Sequence, residues 1–308
     1  MIRSRYTAIV GLGCIVLLLL AGGCARMPDL VKTRIAPKTF GELRSYVLDH
    51  GAEVDVYRLR GPFAVTEHSN IDIRLSPSEV ISTDLYLPAH KEKAPLVIFL
   101  HGYDSRKENH AYQAMHLASW GMHSLTLQLP ARGSWLANGR TLAKLVRFIS
   151  RWPDIIDSRI DAGKIILVGH SFGGAAVSIA LGDGAPVAGG ILLDPAVVGI
   201  DLSKLLRQIN VPVMVIGADE YVSMANNRDV FYRYVRSGIA ELSVKDASHE
   251  DAQYPADTAT AMEDNQVTFV SAVTAAAFSL AAGSNFDYAW KSYADALARG
   301  VFFNAKKK

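Results

Sequence analysis

Beyond position 24 the chain contains no cysteine: its two, Cys14 and Cys24, both lie at the N-terminus of a 308-residue sequence. The body therefore has no disulfide, no thiol nucleophile and no cysteine-based metal site. A one-sided charge is also missing. The formal net charge is +2, from 32 basic and 30 acidic residues, so no bulk basic field points to nucleic acid. No repeat of 20–50 residues and no long low-complexity tract interrupts the chain. Half the residues are hydrophobic and 20% are charged, a globular composition with ample apolar material for a core. The closing Lys306-Lys307-Lys308 reads as a solvated tail.

The N-terminus is set apart from this body. Arg3 and Arg5 precede an uncharged apolar stretch, residues 8–23. It is too short for a comfortable membrane span and fits the core of a signal peptide. The small residues Gly22-Gly23 lead directly into Cys24, and LAGGC resembles a bacterial lipoprotein signal, although Ala21 stands where such signals usually carry Leu. The resemblance implies cleavage after residue 23 and lipidation of Cys24. The mature body would then carry equal numbers of acidic and basic residues, so lipid rather than charge would attach it to a membrane. The implied location is the bacterial cell envelope, facing the periplasm or exterior. Residues 24–45, with Pro28 and Pro37, read as a tether, and residues 46–308 as one domain.

Within that domain, VDVYRL (54–59), IDIRL (71–75) and ISTDLYLP (81–88) alternate with period two, as half-buried strands do. LVIFL (96–100), HSLTLQL (123–129), KIILVG (164–169), AGGILLD (188–194) and PVMVIG (212–217) are near-continuous apolar runs, as in strands covered on both faces. Helix-like segments lie at about 109–120, 138–151, 172–182, 202–209, 226–236, 264–281 and 286–299. This alternation predicts an α/β fold with a mostly parallel central sheet and helices on both faces. About 17 residues separate Asp194 from the next strand, which leaves little room for a lid.

The stretch GHSFG, residues 169–173, sits between the buried run KIILV and the helix-like FGGAAVSIAL. A sharp strand-to-helix turn there strains the central residue and requires small neighbours two positions away, the pattern of a nucleophile elbow. Ser171 would then stand at a helix N-terminus, where free amides favour developing negative charge. A serine hydroxyl is a weak nucleophile and needs a base and oxyanion donors. His101-Gly102 follows an early buried strand, so the backbone amide of Tyr103, with that of Phe172 after the serine, would form the oxyanion hole. His101 itself reads as a packing residue beneath the loop, and His170 as a residue packed at the elbow. Of nine histidines only His249 lies C-terminal to Ser171, which makes it the candidate base. For the acid, Asp194 ends one strand and Asp219 lies just past the next, both on the catalytic side of a parallel sheet. The expected chemistry is acyl transfer from an ester to water, with no metal or organic cofactor. An acyltransferase with the same triad, or a binding protein on the same scaffold, are the alternatives. Trp135 in ARGSWLANGR (131–140) suits packing and substrate contact equally.

Residues 80–255 resemble the α/β-hydrolase superfamily. GHSFGG, the HG loop and LLDP look most like platelet-activating-factor acetylhydrolases and dienelactone-hydrolase-type esterases. In the acetylhydrolase group the acid ends the strand after the nucleophile helix, which implies Asp194. In cutinase-like polyester hydrolases, similar in the HGY and elbow regions, the acid follows the next strand. That pattern places Tyr221 at the acid position and Asp219 two residues early. The substrate implied is a small or lipid-like ester.

Overall fold

The computed structural model describes residues 37–128, 134–197, 201–220, 228–254 and 264–308. The signal-like segment and Cys24 lie outside them. The first helix, α1 (Phe40–His50), opens on Thr39, whose hydroxyl accepts from the Glu42 amide at 3.0 Å, while the Glu42 carboxylate accepts from the Lys38 amide at 2.8 Å. This satisfies amides that a helix start otherwise leaves unpaired. Phe40, Leu43 and Val47, spaced by helical turns, are buried in the core. The tether expected to reach residue 45 thus gives way to the fold by residue 40. Its polar positions had masked a narrow apolar stripe. VDVYRL is also not a strand. Residues Val54–Arg58 form a tight 3-10 turn, and the buried Val54 and Tyr57 lie three positions apart, a period the alternation concealed.

β1 (Val65–Ser76) and β2 (Glu79–Pro88) form an antiparallel hairpin. There follow β3 (Ala94–Leu100), α2 (Ala111–Ser119), β4 (His123–Leu127), α3 (Trp135–Arg151), β5 (Ile160–His170), α4 (Phe172–Gly182), β6 (Gly189–Leu193), the single turn α5 (Ser203–Leu206), β7 (Val213–Gly217), α6 (Arg228–Tyr234), β8 (Ile239–Val244) and α7 (Asp264–Ala281). The expected helix over 286–299 is broken into α8 (Asp287–Ser292) and α9 (Ala294–Ala298). Between them Tyr293 is buried, and its hydroxyl donates to the Ala272 carbonyl at 2.7 Å. The chain ends in β9 (Phe302–Lys307), which pairs antiparallel with β8. The lysine tail is therefore an edge strand rather than a solvated end. Phe302 is buried, and the Lys306 and Lys307 ammonium groups pair with Asp229 and Asp287.

The strands form one nine-stranded sheet in the order β1-β2-β4-β3-β5-β6-β7-β8-β9, parallel from β4 through β8. Alternate residues feed two cores. Val97, Phe99, Ile166 and Val168 face α2 and α7, while Leu96, Ile98, Leu100, Ile165 and Leu167 face α3 and α4. Burial on both sides explains the continuous apolar runs. From β3 the chain first winds outward to β4 and then crosses back to β5. The switch point therefore falls between the carboxyl ends of β3 and β5, where α/β sheets open a crevice. His101-Gly102-Tyr103 leaves one of these ends and Ser171 the other.

Candidate active site

Ser171 follows β5 with φ 53° and ψ −122°, a conformation strained for any residue with a side chain. The strain is held by backbone hydrogen bonds: its amide donates to Leu193 O (3.0 Å), and its carbonyl accepts from the amides of Gly174 (2.9 Å) and Ala196 (3.1 Å). The corner closes so tightly that a Cβ on Gly169 would lie 2.4 Å from Gly173 O. One on Gly173 would lie 2.5 Å from His101 O. The second clash shows that the elbow and the HG loop are packed backbone to backbone, which only glycine permits. Phe172 is the first residue of α4, so its amide is among those a helix start leaves unpaired within the helix.

His249 lies in the loop after β8. Its Nδ1 donates to Asp194 Oδ2 at 2.6 Å; a carboxylate only accepts, so Nδ1 carries a proton, and Nε2 is the ring nitrogen left to act as acceptor. Asp194, itself at φ 36° and 1% exposed, has its other carboxylate oxygen bonded to the Ala218 amide at 3.0 Å. The loop that carries His249 is pinned at two further points. The His249 amide donates to Glu220 Oε2 (3.0 Å), and its carbonyl accepts from His170 Nε2 (3.0 Å). Burial, with His249, His110 and His101 nearby, holds the His170 pKa well below the usual histidine range, so it is neutral and Nε2–H is its donor. Asp219 is engaged elsewhere: it accepts from Lys245 Nζ (2.7 Å) and the Asp246 amide (3.0 Å) and so shapes the turn leaving β8.

A second network supports the HG loop. His101 Nδ1 donates to Gly102 O (2.8 Å) and its Nε2 accepts from Gln128 Nε2 (3.0 Å); the Gln128 carbonyl accepts from the Lys107 amide (3.3 Å). Lys107 Nζ contacts both Asp84 carboxylate oxygens at 2.7 Å, and each side chain is 5% exposed. This buried pair ties β2 to the loop. Neither Lys107 nor Asp84 was visible as a functional position in the sequence. The one signal was an aspartate in the apolar run of β2. Desolvation lowers the His101 pKa, which favours the neutral ring this network needs.

Tyr103 is 62% exposed and meets Phe172 edge-on at 6.0 Å. Phe172 stacks on Trp135, the first residue of α3, at 4.3 Å. The structure thus brings together Ser171, Asp194 and His249, with Tyr103 and Phe172 flanking the serine and Trp135 beyond them. Among the described residues no cluster of three His, Cys, Asp or Glu side chains forms a metal-binding set, and no helix is long and apolar enough to cross a membrane.

A nine-stranded sheet with a strained serine corner at its switch point defines the α/β-hydrolase class. The chain belongs to the Alpha/beta hydrolase family, whose family model matches residues 97–303. It is 28% identical over 200 residues to Cutinase 1 of Thermobifida cellulosilytica, a match spanning 61% of this chain and 72% of that protein. It is also 28% identical over 200 residues to Cutinase of Thermobifida fusca (strain YX), covering 63% of it, and 25% identical over 199 residues to Cutinase est1 of Thermobifida alba, covering 64% of it. For the latter two the match spans less than two thirds of the relative. Family and relatives together support a carboxylic ester hydrolase.

Proposed function

We propose that the protein hydrolyses carboxylic esters through an acyl-enzyme on Ser171, with His249 as base, Asp194 as acid partner and the amides of Tyr103 and Phe172 as oxyanion donors. The observation that carries this reading is the 2.6 Å bond from His249 Nδ1 to the buried Asp194. It fixes the tautomer whose Nε2 takes the serine proton. Ser171 Oγ attacks the ester carbonyl, and the C–O π electrons move to the oxygen, which the two amides stabilise. The tetrahedral species collapses, the bond to the alcohol oxygen breaks, and the imidazolium returns its proton to that oxygen. Water, deprotonated by His249, then releases the acid. The step needs no metal or organic cofactor. The acid at the end of β6 favours the acetylhydrolase-like arrangement over the cutinase-like one with Asp219.

The cutinase relatives favour a second reading of the substrate, an extended polyester whose chain crosses an open site. Transfer of the acyl group to another alcohol uses the same geometry. The N-terminal sequence supports attachment at the cell envelope through lipidated Cys24. The test is turnover of p-nitrophenyl esters of increasing chain length by the full chain in detergent, beside Ser171→Ala, Asp194→Asn and Asp219→Asn. The reading requires that turnover collapse in the first two and persist in the third. Folded protein that cleaves no ester would reject it, and collapse in Asp219→Asn alone would move the acid to the cutinase-like position. Mass spectrometry of membrane-extracted protein checks for diacylglycerol on Cys24.

A further inference from the structure

A pocket of about 180 Å3 opens beside Ser171 and His249. Its far wall is built from two loops: Ser105 and Asn109 after β3, and Glu250 and Gln253 after β8. Their hydrogen bonds have only one consistent polarity. The Gln253 amide nitrogen meets a Glu250 carboxylate oxygen, which only accepts, so Gln253 donates there. Its carbonyl oxygen then faces the other way and accepts from Ser105 Oγ (2.7 Å) and Asn109 Nδ2 (3.2 Å). Gln253 is 5% exposed, so this polarity is set inside the protein rather than by solvent. The Ser105 hydroxyl hydrogen and one Asn109 N–H are thereby spent on Gln253. What the wall keeps for a ligand is mainly oxygen: the lone pairs of Ser105 Oγ, the Asn109 carbonyl and the second oxygen of Glu250, beside the other Asn109 N–H. No lysine or arginine lies among the described lining residues.

The chemistry of the reaction says which half of an ester meets this wall. His249 hands its proton to the departing alcohol, so the alcohol half lies on the His249 side. Glu250 and Gln253 follow His249 directly in the chain. Phe172 and Trp135, stacked by the start of α4 and outside the pocket's lining, are left to the acyl half, with Tyr103 at the boundary between the two. We infer that the site selects esters whose alcohol half is small, carries hydroxyl donors and bears no negative charge, a glycerol-like polyol, while the acyl half is apolar. The inference rests on the proposed esterase reading and deepens it. Two hydroxyls bonded to this wall are worth about tenfold in kcat/KM over an alcohol without them.

The test compares four butyrate esters with the full-length protein: 1-monobutyrylglycerol, propyl butyrate, butyrylcholine and 3-butyryloxypropanoate, with p-nitrophenyl butyrate beside them. The reading compared is the ratio of kcat/KM values, which is independent of the active fraction of each preparation. The glyceryl ester should exceed the propyl ester by about tenfold, and the carboxylate ester should be the slowest. In Gln253→Met and Glu250→Gln the glyceryl-to-propyl ratio should fall most of the way to one, and in Ser105→Ala part of the way. Glu250 is exposed, so its variant keeps the test alive if Gln253→Met fails to fold. A wild-type ratio near one, a ratio the variants leave unchanged, or butyrylcholine outrunning the glyceryl ester (charge rather than donors) overturns the inference while the esterase reading stands. If neither p-nitrophenyl butyrate nor propyl butyrate is cleaved, both fall together.

Discussion

The two loops that meet at the site are built on different principles. The Ser171 corner is local in the chain: strand, a single corner residue and helix run consecutively from 160 to 182, and the tight backbone approach at the corner requires the glycines two positions to either side of Ser171. The loop that carries His249 has no such local logic. His249 is placed by Asp194, Glu220 and His170, each from a different strand end, as much as 79 residues away in sequence. A corner of the first kind can be read from its own residues. A loop of the second kind exists only once the sheet has brought its partners together.

This difference can be probed at both ends. The largest effect is expected for Ser171→Ala. Ester turnover should fall by roughly 10^6 with the melting temperature unchanged, because the variant removes the reacting atom and leaves the corner intact. Asp194→Asn should cost about 10^4 in kcat, because an amide in that place favours the wrong tautomer of His249. Circular dichroism would check that each variant folds, and active-site titration with a fluorophosphonate would show whether Ser171 still reacts.

Next is the scaffold beneath the HG loop. Lys107→Met leaves Asp84 charged and buried without its partner, and should lower unfolding stability by about 3–5 kcal/mol in urea titrations. Replacing both, Asp84→Leu with Lys107→Met, should recover much of that loss. Recovery of stability without recovery of kcat would show that the pair positions the loop as well as stabilising it.

Acid should act on the scaffold too. Burial lowers the pKa values of His110, His116 and His123 to about 4, against 6.5 for the unperturbed side chain. The unfolded chain therefore binds more protons than the native one between those values, so stability is complete above pH 6.5 and falls as the pH drops toward 4. Thermal melts across that window should show a falling Tm, with proton uptake on unfolding. Replacing His123 by Phe should flatten the slope. The smallest effect belongs to Asp219→Asn. Its Lys245 partner is half-exposed, so stability should change by no more than about 1 kcal/mol and turnover by a few-fold at most.

The sequence was legible where a single period or a single turn governs. The helix Phe172–Gly182 and the long helix Asp264–Ala281 start and stop where their apolar patterns do, and the buried strands announce themselves as apolar runs. It misled where a residue's partner is distant. Phe40, Leu43 and Val47 are too sparse to mark a core helix until the α7 face they cover is known. Lys306 and Lys307 look solvated until Asp229 and Asp287 arrive beside them. Asp194 and Asp219 were equivalent as strand-end carboxylates, and only the family resemblance favoured one. Their separation in the structure, one on an imidazole and one on a lysine, is a tertiary fact.

By itself, then, the sequence determined the alternation of strands and helices, the strained serine corner and the one histidine able to serve it from the C-terminal side. These follow from side-chain period, backbone sterics and chain order, which act over a few residues or by count alone. Only the tertiary structure decided which carboxylate holds His249, how a buried lysine props the HG loop and which way the Gln253 amide turns. Each of those depends on polar atoms meeting across many tens of residues, where burial makes an unpaired group costly and so selects one arrangement.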